Sequence, residues 1–205
     1  VRRDRDAAGR PRNARPRDAL GRPLPKGTPG VERVPDDYAP DAHQAVADAY
    51  AFLAEERPFH AHEVLEARWK TGPDGERELW QGLAQICVGL THLQRGNLRG
   101  AGVLLDRGAD QVTRYASGTR TGTGTGTHGD ASTSTETDAS TDTDISTSGH
   151  ADADSGTSGR HTAAPLDLAA VVQVARDLAD HPATEPATAI RRIAAAFGTG
   201  AAQRN

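Results

Sequence analysis

FHAHEVLEARWKTGPDGERELWQGLAQICVGLTHLQRGN, residues 59–97, decides the fold. Leu79, Leu83, Ile86, Leu90 and Leu93 recur at helical spacing, so the segment from about 76 to 95 reads as one helix with an apolar face. TGPDG at 71–75 is a strong turn signal, and 59–70 before it reads as a shorter helix. So short a connection joins antiparallel neighbours. Gly96 then closes the long helix and Asn97 caps the next.

Helical spacing continues on both sides. Pro40 and Asp41 start a helix carrying Val46, Tyr50 and Leu53, which Pro58 ends. After Asn97, Val103, Leu104, Ala109 and Val112 are spaced for burial in a fourth helix reaching about Tyr115. Leu166, Leu168, Val171, Val172, Val174 and Leu178 form a fifth, and Thr184, Glu185 and Pro186 cap a last one with Ile190, Ile193 and Phe197. No segment sustains strand alternation. The expected fold is all-α, a compact array of five to six short antiparallel helices.

Two stretches of the 205 residues do not fit that array. Residues 1–35 are rich in Arg, Pro and Gly, and 117–164 are almost entirely Thr, Ser, Gly, Asp and Ala. Neither has the apolar content to offset the entropy of ordering a backbone. They read as a disordered basic arm and a disordered low-complexity insertion. The helical domain then has its main part at 36–116 and is completed by 165–205. The Asp142/Asp144 and Asp152/Asp154 pairs lack the glycine and distal glutamate of a calcium loop.

The net charge of −4 sums a basic arm and an acidic insertion, so it identifies no partner class. Dispersed arginines in the arm could neutralise nucleic-acid phosphates, but no aromatics interleave them, and a solvated tail is the stronger reading. Cys87 is the only cysteine, which rules out an intramolecular disulfide and suits a reducing compartment. No secretory signal and no apolar run long enough for a bilayer is legible. The expectation is a cytoplasmic protein without membrane contact.

The chemistry-bearing residues concentrate in 59–69. Phe59, His62, Glu66 and Trp69 share one helical stripe, and the aromatics at its ends imply that it faces the core. His62 and Glu66 are carried inward with it, Glu63 lies at its margin, and His60 points away towards solvent. On the next helix Gln81, Gln85, Val88 and His92 form a matching stripe. Pairing outward from the turn sets Glu66 near Trp80 and Gln81, and His62 near Gln85. His62, Glu66 and Glu63 are the catalytic candidates; Trp69, Gln81, Gln85 and His92 are the ligand-binding candidates.

His-Glu-x-x-Glu resembles the zinc-protease helix His-Glu-x-x-His with Glu66 in place of the second histidine. His62, Glu66 and His92 could supply enough ligands for a divalent metal. No nucleotide or flavin motif is present, and no other cofactor is implied. Trp80 and Tyr115 are core residues or part of a homo-oligomer face.

Phe59-x-x-His62-Glu63-x-x-Glu66-x-x-Trp69, then Gln81-Gly82-Leu83, then Arg95-Gly96-Asn97 with Gly100-Ala101, resembles the bacterial and archaeal domain-of-unknown-function family 309. The resemblance spans about 38–115, and His62, Glu63, Glu66, Trp69, Gln81 and Gly82 match the family's motif positions. It implies a small all-helical domain and no particular activity. The long insertion departs from the compact family form. The inward polar cluster reads as a ligand- or partner-binding site; the alternative is a metal-assisted hydrolase-like enzyme using Glu66 as base and His62 as ligand or proton carrier.

Overall fold

The computed structural model describes residues 15–35, 37–118, 166–182 and 184–202. The main part of the expected insertion and the first part of the basic arm lie outside these residues. Six helices are present among them: α1 (Ala42–Ala54), α2 (Pro58–Thr71), α3 (Arg77–Gln94), α4 (Leu98–Ala116), α5 (Leu168–Asp180) and α6 (Pro186–Ala202). No strand occurs among the described residues, only an isolated bridge between Arg17 and Pro23. The fold is all-α, as the spacing requires. No helix among the described residues is long and apolar enough to cross a membrane.

Helix starts follow their caps. Asp41, Asn97 and Asp167 each accept a hydrogen bond from the backbone three residues on, at 2.8, 2.9 and 3.0 Å. Pro58 does not merely end α1; it is the first residue of α2, where its missing N–H costs nothing. Gly96, with φ of +77°, closes α3.

Helix α3 is the centre. It packs against α2, α4 and α6, while α5 lies on α4 and α6 closes back onto α1. Leu79, Trp80, Leu83, Ile86, Cys87 and Leu90 have no exposed surface. α4 approaches α3 closely enough for backbones to touch. A Cβ at Gly82 would lie 2.9 Å from the Gly108 carbonyl oxygen, and one at Gly108 would lie 2.7 Å from that of Gly82. Gly89 opposite Leu105 fixes the antiparallel register. The glycine of Gln81-Gly82-Leu83 is therefore a packing requirement of this pair.

The turn between α2 and α3 is stapled by a buried ionic contact. Arg68 donates to Glu76 at 2.6 Å, and the Trp80 indole N–H donates to the same oxygen at 2.8 Å. The guanidinium also lies over the Trp80 ring, 5.5 Å from its centroid. Neither Arg68 nor Glu76 is visible in the hydropathy pattern, which registers both as surface charges.

Two expectations about burial fail. Tyr50 and Val103 are 43% and 46% exposed. The buried face of α1 runs Ala42, Ala45, Val46, Ala49 and Leu53, and that of α4 runs Ala101, Leu105, Gly108, Ala109 and Val112. Small residues carry much of each contact, so the larger apolar side chains are a misleading guide.

Residues 15–35, expected within a disordered arm, instead form a strap along α2. Leu24 N–H donates to Pro16 O at 2.7 Å, and Val31 N–H to Arg17 O at 2.9 Å. Arg95 clamps the Leu20 carbonyl with two N–H groups at 3.0 and 2.6 Å. Gly21 lies directly on the Phe59 ring, and Arg33 pairs with Glu63 at 2.9 Å. Apolar content was the wrong criterion here. The strap is held by backbone groups and charges, and its prolines reduce the entropy lost on ordering.

Candidate functional site

Around α2 the expected orientation is reversed. His60 is 1% and Glu63 9% exposed, whereas the side chains of His62 and Glu66 keep 20% and 32%. The core face of this helix is Ala61, Val64 and Leu65, with His60 beside it. The aromatics misled because polar partners cover them. Arg17 lies over Phe59 at 5.6 Å and Arg77 over Trp69 at 5.9 Å.

Of the catalytic candidates, His62 and Glu66 lie together and Glu63 turns to Arg33. His62 Nε2 lies 3.7 Å from Glu66 Oε2, and Lys70 Nζ 2.8 Å from Glu66 Oε1. Burial pulls the His62 imidazole below its ordinary value, against the opposing pull of Glu66. Burial alone would raise the Glu66 carboxyl, but His62 and Lys70 bring it below the usual range. Glu63 is committed to Arg33, and its Oε2 is shielded without a partner.

Nor do the two stripes pair. No hydrogen bond among the described residues joins Glu66 to Gln81 or His62 to Gln85. His62 Nδ1, Trp69 Nε1 and Gln85 Oε1 are all shielded and unpartnered. His92 belongs to the α3–α4 junction. Its Nδ1 faces Asn97 Nδ2 at 3.0 Å, and because Asn97 Oδ1 caps α4, that amide nitrogen is the donor. No group of three His, Cys, Asp or Glu that could hold a metal occurs among the described residues, so His62, Glu66 and His92 do not converge. Burial pushes the Cys87 thiol up to about 12, which suits a structural residue.

The cavity lies on the other side of α2. A cleft of about 400 Å³ opens between the end of the strap, α1 and the first turn of α2. Arg33, Tyr38, Asp48, Phe52, Arg57 and His60 line it. The Tyr38 hydroxyl donates to Asp48, whose other oxygen accepts from Gln44 Nε2 at 2.7 Å. Burial, then Asp48, raises the Tyr38 hydroxyl far above its ordinary value. Phe52 and His60 lie 5.4 Å apart at an interplanar angle of 32°, and Arg57 covers Phe52 at 4.9 Å.

His60 is the focal group. Its Nε2 lies 3.1 Å from the Glu32 carbonyl, which can only accept, so Nε2 carries the proton. Nδ1 is left with a lone pair, buried and without a partner. Burial and then Arg57 hold the imidazole below its ordinary value, so it stays neutral at neutral pH. Sequence reasoning set His60 aside as solvent-facing. The available signal was the three-residue connection between α1 and α2, with Glu56 at φ of +57°, which brings this first turn against the end of α1.

The sequence model of a family described as a domain of unknown function, DUF309, matches residues 46–104, from within α1 to within α4. No curated protein and no solved structure matches the chain. The motif resemblance is thus confirmed for that segment. The α1 and α2 walls of the cleft lie inside it, and the wall formed by Glu32 to Pro35 and Tyr38 lies outside it.

Proposed function

We propose that the DUF309 domain carried by residues 46–104 is a ligand-binding module and that the cleft at His60 is where its ligand sits. One observation carries this reading. A cleft large enough for a small molecule has the buried His60 imidazole in its wall. Asp48, Phe52, Arg57 and Tyr38 supply the remaining polar and planar surface.

A hydrolase-like role for Glu66 and His62 has weaker support. A carboxylate held below its usual range is a weaker base, and Lys70 occupies one of its oxygens. The cleft reading is tested by following backbone amide resonances of the whole chain against a mixed fragment collection. Binders should shift residues 32–38 and 48–64 and lose that effect in His60→Phe. Binders that shift only the surroundings of His62, Glu66, Trp69 and Gln85 would move the site to the outer stripe and overturn the assignment.

A further inference from the structure

We infer that Arg17 and Arg95 form the seat of a phosphate group where the strap meets the end of α3. Neither residue lines the cleft at His60, so this is a second site.

The strap offers two successive carbonyls to two guanidiniums. Arg17 Nη1 donates to Gly21 O at 2.5 Å, and Arg95 donates through Nε and Nη2 to Leu20 O at 3.0 and 2.6 Å. The Phe59 ring supports Arg17 from beneath. These neutral partners fix the two cations beside each other without cancelling their charge. The carboxylates nearby are committed elsewhere. Asp18 holds Arg22 at 2.7 Å and accepts from the Leu20 and Arg22 N–H groups, while Glu63 holds Arg33 at 2.9 Å. Neither Arg17 nor Arg95 is in an ion pair among the described residues.

The remaining donors are open. Arg17 Nε and Nη2 and Arg95 Nη1 donate to nothing in the protein, and none of them is shielded from solvent. One guanidinium fork satisfies the two oxygens of a carboxylate, whereas forks arriving from two elements suit an oxyanion with more acceptor oxygens and more charge. Around the turn Arg17, Arg22, Arg33 and Arg95 outnumber Asp18 and Glu63. Burial first, then Arg33 and Arg95 against the opposing pull of Glu63, brings the Arg17 guanidinium below its ordinary value, and burial does the same at Arg95. A phosphate between them offsets that repulsion and ties strap to helix. The carbonyl end of α3 and the amide end of α4 lie only a few residues apart here, so their opposite partial charges offset one another.

The test follows backbone amide and arginine Nε–H resonances of the isotopically labelled full chain in phosphate-free buffer. Sodium phosphate, acetate and chloride are titrated at matched ionic strength, and a short oligothymidylate separately. Phosphate should shift the Arg17 and Arg95 side chains and residues 17–22, and slow amide exchange across the strap. Acetate should bind about tenfold more weakly, and Arg17→Gln should weaken phosphate by about the same factor, the loss of one charge-assisted contact. Should Arg17→Gln loosen the strap even without phosphate, the comparison of anions on the wild-type chain carries the test. Equal responses to the three salts overturn the inference, as does unchanged phosphate affinity in a folded Arg17→Gln. Phosphate shifts confined to residues 32–38 and 48–64 place the anion in the cleft and overturn it too. With the site upheld, tighter binding of oligothymidylate than of phosphate at Arg17 and Arg95 assigns a nucleic-acid backbone as the source. Equal or weaker binding assigns free phosphate or a small phosphate ester.

Discussion

His60, His62 and His92 each lie where burial, the largest cause, holds the imidazole below its ordinary value. In the unfolded chain all three take up protons near 6.5, whereas the folded chain resists until lower pH. Above that value both states are neutral and nothing is gained or lost. As pH falls below it, the unfolded state binds more protons and stability declines. The midpoint of thermal unfolding should therefore drop as pH falls below about 6.5, with a slope of at most about 1.4 kcal/mol per pH unit for each histidine. Replacing His92 with Gln should flatten the profile by up to one proton. An unchanged profile would show that His92 titrates normally. At His62, Glu66 opposes the shift that burial causes.

At the scale of elements, the α2–α3 hairpin depends on Arg68 and Glu76. Glu76→Gln leaves a guanidinium buried without its counter-charge and should cost about 3–5 kcal/mol in chemical denaturation. Arg68→Leu with Glu76→Gln should recover part of that loss, since the stranded charge is gone. The α3–α4 pair depends on contact between backbones. Gly82→Ala and Gly108→Ala should each cost about 1–3 kcal/mol, because the opposing atoms are carbonyl oxygens that cannot swing aside. Gly75→Ala, with nothing nearby, should change little. These contrasts explain what the sequence made legible. Apolar spacing, caps and prolines located the helices, but not which face of α2 is inside. Ala61, Val64 and Leu65 outweigh Phe59 and Trp69 only because Gly21, Arg17 and Arg77 cover those rings. Contacts from residues remote in sequence leave no periodic trace.

Across the whole molecule, the described residues before and after the insertion pack as one unit, with α5 and α6 lying on α4, α1 and α3. The strap is the least apolar part of it, fastened by Arg95 on Leu20 and Arg33 on Glu63. Arg95→Ala should raise amide hydrogen exchange across residues 15–35 while protection within α3 stays near wild type. Loss of protection in both would mean that strap and core unfold together. The strap also divides the cleft between two kinds of sequence. His60 and Phe52 sit on helices whose substitution disturbs the core, whereas Glu32, Arg33 and Pro35 are exposed and lie in no helix. Exchange of a few strap residues can thus reshape one wall of the cleft while the helical wall beneath stays fixed, as a lock keeps its bolt when the wards are recut.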